Sequence, residues 1–351
     1  MMKRRDFILG GLGGMAALTA GQAVAQDPLA RALQHYMQEL ERAERQAGYL
    51  GPRITIPQAQ KVTDGVYTVV GSMIWHNPSN YGLNNNLSFM IFENGVFVFN
   101  GSANPALSQA LHRQIQQITD KPVRWVAVEN HQGHAHLGSS YWYDMGVRNF
   151  YSQRQAHADF HASWDIIKDR WSRAVGHQLT APAYDISDEF TVFDERMDID
   201  VGGGEVVQMH YFGKGHTPGS TTLYVPSRNV IFPGDNAYES RMLALFNYTD
   251  TQAWVKTFER FMEFTPEGTI IVPGHGVPTD MATVKRDTYD YLKWMHREIQ
   301  AIIDAGGSLR EAENLDQSQF SHREVYAQTF AGNARHIYRE LKGLDLGDAV
   351  D

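Results

Sequence analysis

Gly213-Lys214-Gly215-His216-Thr217-Pro218-Gly219-Ser220 follows directly on Val206 to Phe212, a run that reads as a β-strand. Glycines on both sides of a histidine let the backbone turn sharply and come close to a ligand, while the strand end holds the imidazole still. The pattern recurs along the chain. Asn130-His131-Gln132-Gly133-His134-Ala135-His136-Leu137-Gly138 follows the apolar strand Val123 to Val128, and Val272-Pro273-Gly274-His275-Gly276 closes the strand that starts at Thr269. Phe232-Pro233-Gly234-Asp235-Asn236 puts a carboxylate in the same kind of place. One histidine in a loop is ordinary polar surface. Three histidine loops and a strand-end aspartate in one chain point to a metal site assembled from distant segments.

Composition restricts what such a site can be. The 351 residues include no cysteine, which excludes thiolate ligands, iron–sulfur clusters, disulfides and a cysteine nucleophile. Any metal must therefore be held by carboxylates and by some of the 15 histidines. Hydrophobic residues make up 42% and charged residues 20%, the balance of a folded globular enzyme. Lys and Arg number 31 against 40 Asp and Glu, a net charge of −9, which argues against nucleic acid or anionic lipid as partner and for a small-molecule substrate.

The ends of the chain have their own character. Lys3-Arg4-Arg5-Asp6-Phe7-Ile8-Leu9, a Gly- and Ala-rich apolar run and Ala23-Val24-Ala25 form an export signal of the twin-arginine type over residues 1–25, so a periplasmic location is expected. The apolar run is shorter than the roughly 20 residues a spanning helix needs, so no stable membrane insertion is expected. Residues 26–57 form a helical leader, with Leu29, Leu33, Tyr36, Met37 and Leu40 at helical spacing. Residues 58–305 carry two β-rich halves, each with helices: an α/β domain of two packed sheets with helices outside. A C-terminal helical extension occupies 306–351. In finer detail the spacing predicts strands at Phe190–Ile199, Asn229–Phe232 and Thr269–Val272, a hairpin turn at Gly202–Gly204, and one long helix over Met281–Ala305.

The order of the His-rich loop, Gly-His-Thr-Pro-Gly-Ser, Phe-Pro-Gly-Asp and Val-Pro-Gly-His-Gly resembles the metallo-β-lactamase superfamily, from about Val62 to Gly306. The resemblance implies an αββα sandwich with one or two metal ions, usually zinc, at the sheet edge, and a hydrolase that uses metal-bound hydroxide. The first loop departs from the family's H-x-H-x-D-H. His131 and His136 match, but Gly133 stands where the second histidine belongs and Ala135 where the aspartate belongs, with nothing nearby that obviously replaces it. A local shift brings His134 into the missing histidine's role. Asn100 also stands where relatives commonly carry an aspartate.

Carried over residue by residue, the family layout gives one ion His131, His134 and His216, and a second ion His136 and His275. Asp235 bridges the two and orients the hydroxide as the catalytic carboxylate. Loss of the loop aspartate weakens the second site and makes a single-metal enzyme credible. His131, His216 and Asp235 would then form a 2-His-1-carboxylate set, which suits Fe(II). The leading expectation is an exported metallo-hydrolase. The alternatives are a non-catalytic binding or accessory protein on the same scaffold and a mononuclear non-haem iron redox enzyme. His76, Tyr81 and Lys214 are the candidate substrate contacts; His157 and His161 read as a pair on a helix surface. Neither substrate nor oligomeric state is legible.

Overall fold

The protein is described from a computed structural model covering Ala32, Tyr49 and residues 51–347. The signal at 1–25 and the leader helix lie outside the described residues, Ala32 apart. Seven strands pair in chain order: β1 (Gln60–Thr63), β2 (Val66–Val69), β3 (Leu87–Ile91), β4 (Val96–Phe99), β5 (Val123–Ala127), β6 (Asn149–Gln153) and β7 (Phe190–Phe193). β1 to β4 are antiparallel, and β4 to β7 run parallel. Side chains alternate between faces, so Leu87, Phe89, Val96 and Val98 enter one core while Met90, Phe97 and Phe99 enter another. Apolar residues on both faces require cover on both.

A second sheet supplies one cover. It has the order β12-β11-β10-β9-β8, from β8 (Arg196–Gly202), β9 (Glu205–His210), β10 (Thr222–Val225), β11 (Val230–Tyr238) and β12 (Ile270–His275). Between the sheets Phe99 meets Phe232 with ring centroids 5.9 Å apart, and truncating such a ring to alanine typically costs about 3–5 kcal/mol. Helices close the outer faces. α1 (Pro105–Ile118), α2 (Gly133–His136), α3 (Ser139–Asp144) and α4 (Arg154–Val175) lie on the first sheet's side, and Phe258 and Phe261 of α5 (Thr251–Phe264) pack on Ile231 and Ile271 of the second. The result is the expected αββα sandwich. α6 (Asp290–Asp304) and α7 (Tyr326–Leu341) build a further core with Tyr238, Met242, Leu243 and Trp254. Of these, α7 lies within the C-terminal helical stretch expected at 306–351, while α6 precedes it.

Four details differ from the sequence reading. The strand expected over Phe190–Ile199 breaks at Asp194 and Glu195, both exposed, where the chain passes from the first sheet to the second. β11 and β12 run further than expected, to Tyr238 and His275, because parallel pairing continues with register shifts on either side of Gly234; such irregularities re-aim side chains at sheet edges. The loop after β5 winds into the single turn α2. The long helix over Met281–Ala305 is interrupted by a π turn at Lys285–Tyr289, which presents Asp287 to the backbone N–H of Ser240 and Thr288 Oγ1 to that of Tyr238. The glycines at 202–204 do form the hairpin turn, at φ +86°, +65° and +74°. Among the described residues no helix is long and apolar enough to cross a membrane.

Candidate metal centre

Asp235 sits near the end of β11, 2% exposed, and three imidazoles surround its carboxylate. His275 Nε2, from the end of β12, lies 3.3 Å from Oδ1; His216 Nε2 and His134 Nε2 each lie 3.5 Å from Oδ2. Parallel pairing of β11 with β12 aligns Asp235 with His275, the turn after β9 delivers His216, and the turn that follows β5 delivers His134. Gly234 has φ +57°, and a Cβ there would lie 1.8 Å from Glu129 Oε2, so the position requires glycine on both counts.

That contact introduces the residue the sequence reading missed. Glu129, 1% exposed at the end of β5, accepts a hydrogen bond through Oε2 from the backbone N–H of Asp235 at 2.6 Å, and its Oε1 lies 3.0 Å from His134 Nε2. Asn100 Nδ2 donates to Oε1 at 2.8 Å, and Asn100 Oδ1 accepts from the Glu129 N–H at 3.1 Å. An aspartate at 100 could not donate and would set a second negative charge beside Glu129. Glu129 therefore supplies the carboxylate the first loop lacks, and the asparagine is its complement. The available signal was a carboxylate directly after an apolar strand, the arrangement already noted at Asp235. Ligand atoms of Glu129, His134 and Asp235 all lie within 4.8 Å of one another.

The remaining departures have steric causes. A Cβ at Gly133 would lie 2.3 Å from Trp171 Nε1, so no histidine fits there, and it is the His134 ring that lies beside Glu129 and Asp235. Residues two apart on a helical turn point about 200° apart. With His134 facing Asp235, His136 faces away: its ring stacks on Phe160 at 3.8 Å and 15° and adjoins Phe190. The expected assignment of His136 to a second ion is thus not what the structure presents. His131 lines the same cleft as Asp235, its ring edge-on to Tyr248 at 4.7 Å and its Nδ1 without a hydrogen-bond partner.

Of the candidate substrate contacts, His76 lines the cleft, stacked on Trp171 at 4.0 Å. Tyr81 does not: it ends the short 3-10 turn Pro78–Asn80 in left-handed geometry and packs on the core of the first sheet, its carbonyl accepting from Asn104. Lys214 lines a separate, more open groove that adjoins His131 and Tyr248. His157 Nε2 donates to the Ser187 carbonyl at 3.0 Å and His161 lies 3.4 Å from Asp185, away from the cleft.

Burial controls the electrostatics. It pushes the His216 imidazolium down to about 3 and those of His275 and His131 to about 4, so all three are neutral at pH 7 and keep a ring lone pair for a cation. The two carboxyls diverge. Burial, reinforced by the Asp235 charge, raises Glu129 against the pull of His134 and Asn100; for Asp235 burial also raises, but His275, His134 and His216 outweigh it and hold the group below the usual range. His216 Nδ1 and His275 Nδ1 have no hydrogen-bond partner, while the Nε2 of each ring faces Asp235. Neutral buried imidazoles whose Nε2 atoms converge on two buried carboxylates fit a divalent cation. The cleft itself is narrow, about 60 Å³, walled by Trp75, Trp171, Tyr238, Phe246 and the buried Arg241.

Comparison with known proteins agrees with this geometry. A family model described as the metallo-beta-lactamase superfamily matches residues 131–275, the span from the first histidine to the last. Metallo-beta-lactamase type 2 of Bacteroides fragilis is 24% identical over 193 residues, which cover 53% of this chain and 70% of that protein. Acyl-coenzyme A thioesterase MBLAC2 of Homo sapiens is 30% identical over 79 residues, 22% of this chain and 28% of the relative. Among solved structures, the TMB-1 enzyme superposes with TM-score 0.51 at 16% identity, covering 68% of this chain and 98% of its own. A metallo-beta-lactamase from Pontibacter korlensis gives 0.53 at 14% identity, covering 67% and 98%. With the motif order, the sandwich and these matches in agreement, the span from His131 to His275 matches the metallo-β-lactamase superfamily.

Proposed function

We propose that this protein is an exported hydrolase that acts with a divalent metal ion on an acyl centre of a small molecule. The observation that carries this reading is the convergence of Glu129, His134 and Asp235 within 4.8 Å, with His216 and His275 on the same aspartate. Glu129, His134 and Asp235 would hold a first ion, with His216, His275 and His131 available to complete its shell or to take a second. Zinc is the ion the nitrogen and oxygen donors suit best, with Fe(II) as the alternative. Such an ion, when bound, lowers the pKa of water and polarises the scissile bond.

The chain's own groups do the rest. Asp235, ionised, accepts a hydrogen bond from the attacking water and orients it. Glu129 fixes the geometry of the pair, accepting from the Asp235 backbone N–H and lying 3.0 Å from His134 Nε2. Trp75, Trp171 and Phe246 keep bulk water out. One relative is named as a lactamase and another as a thioesterase, and an acyl carbon is common to both. The twin arginines and Ala23-Val24-Ala25 support export to the periplasm.

The test is metal analysis and hydrolysis by the purified mature protein. About one or more equivalents of zinc retained, with turnover of a β-lactam or thioester that disappears in Asp235→Asn, is the expected result. Less than about a tenth of an equivalent after reconstitution with zinc, iron and manganese would overturn it and favour a binding or accessory role. For the location, replacing Arg4 and Arg5 by lysine should leave the precursor in the cytoplasm.

A further inference from the structure

His157 and His161 stand four residues apart in the first half of α4, so both rings project from one face of the helix. Their planes are within 4° of parallel and their centroids are 6.3 Å apart. His157 is half-buried, its ring 6.3 Å from that of Phe190, and the His161 side chain is 57% exposed. The pair lies away from the cleft of Asp235 and has no part in the reaction proposed above.

The segment ahead of β7 comes up to both rings. The Ser187 carbonyl accepts from His157 Nε2 at 3.0 Å, and Asp185 Oδ2 lies 3.4 Å from His161 Nδ1. Asp185 is itself fixed, its Oδ1 accepting from the Ser187 N–H at 2.8 Å and from the Ser187 hydroxyl. A carbonyl and a carboxylate can only accept, so each ring carries its hydrogen on the held nitrogen and keeps a lone pair on the other. Those other nitrogens, His157 Nδ1 and His161 Nε2, have no hydrogen-bond partner among the described residues. One nitrogen held by a carbonyl or carboxylate and the other left open is the arrangement of a metal-binding imidazole, because the held hydrogen fixes the tautomer and makes the open nitrogen more basic. The surroundings are acidic. Asp165 follows His161 one turn further along α4, Asp188 and Glu189 follow Ser187, and Lys168 is tied to the Ala183 carbonyl.

We propose that His157 and His161 form a peripheral binding site for a divalent transition-metal ion, separate from the centre at Asp235, with Asp185 and Ser187 as the groups that orient the two rings. Two imidazole nitrogens select copper(II), nickel(II) or zinc over magnesium and calcium, which take oxygen ligands. Water completes the shell. A bound ion spans one turn of α4 and, through Asp185 and Ser187, ties that turn to the chain entering β7. The same helix carries Trp171, which walls the cleft of Asp235, so the ion stiffens the support of that wall from outside.

The probe is nickel(II) chloride, added to the metal-stripped mature protein and followed by calorimetric titration and by thermal melting. Wild type, His161→Ala, Asp185→Asn, Asp235→Asn and the double variant Asp235→Asn with His161→Ala are compared. Wild type should bind about one equivalent of nickel more than His161→Ala, and Asp235→Asn should keep that equivalent although its metal centre is impaired. Asp185→Asn should bind this equivalent about tenfold more weakly. Nickel should raise the melting temperature of Asp235→Asn and leave that of the double variant unchanged, because an ion bound only by the folded chain stabilises it. His161 is exposed, so its truncation leaves the fold intact, and the wild-type comparison stands by itself if Asp235→Asn does not fold. Equal nickel stoichiometry and affinity in wild type and His161→Ala, or no nickel binding by folded Asp235→Asn, would overturn the proposal.

Discussion

The two halves of the metal centre are built differently. The second sheet offers Asp235, His216 and His275 from strand ends and a strand-following turn, where parallel pairing of β11 with β12 fixes which way two of the side chains point. The first sheet offers a loop rewound into one helical turn, in which three histidines within six residues have three different fates. His134 turns to Asp235, His131 lines the cleft wall, and His136 is lost to Phe160. A strand tip preserves a ligand's direction; a loop can be re-threaded, provided the charge it loses returns elsewhere. Here it returns one strand-end earlier, as Glu129.

The sharpest break in this comparison is Asp235→Asn, because one oxygen faces His275 and the other His134 and His216. Zinc affinity, read by competition with a chromophoric chelator, should fall by more than about a hundredfold. Glu129→Gln tests the other half. It keeps the shape but removes the charge, and should cost about 10–100-fold in the same titration. An affinity equal to wild type would mean that Glu129 supports the Asp235 backbone and nothing more.

His134→Ala and His136→Phe separate the two histidines of the helical turn. The first should weaken zinc about tenfold or more, and the second should leave it within about a factor of two, since a ring of similar size still stacks on Phe160. If both lose zinc equally, the turn rotates when metal enters. The smallest effect is on pH dependence. His216, His275 and His131 titrate near 3 to 4 in the folded protein but near 6.5 when unfolded, so the unfolded chain binds more protons between those values. Their contribution to the metal-free protein is fully present above about pH 6.5 and is lost as pH falls toward about 4. Thermal melts over that range should show the decline, and His216→Ala should flatten it.

Much of this molecule could be read from local pattern. The alternation in β3 and β4, the glycine-flanked histidines and the strand-end Asp235 each depend on neighbours a few residues away, and the two-sheet sandwich followed from them. Other features were invisible because their cause lies far along the chain. Gly133 is explained by Trp171, Asn100 by Glu129, and the break in the long helix by the end of β11.

The amino-acid sequence alone determined the sandwich, the absence of thiolate chemistry and the presence of histidine loops at strand ends, since each is a matter of periodicity, composition or backbone freedom. Tertiary structure decided which histidines converge, that Glu129 joins them, and that Arg241 faces the same cleft. A helical turn sends side chains two residues apart in nearly opposite directions, and only packing against Trp171 and Phe160 settles which of them meets the carboxylates.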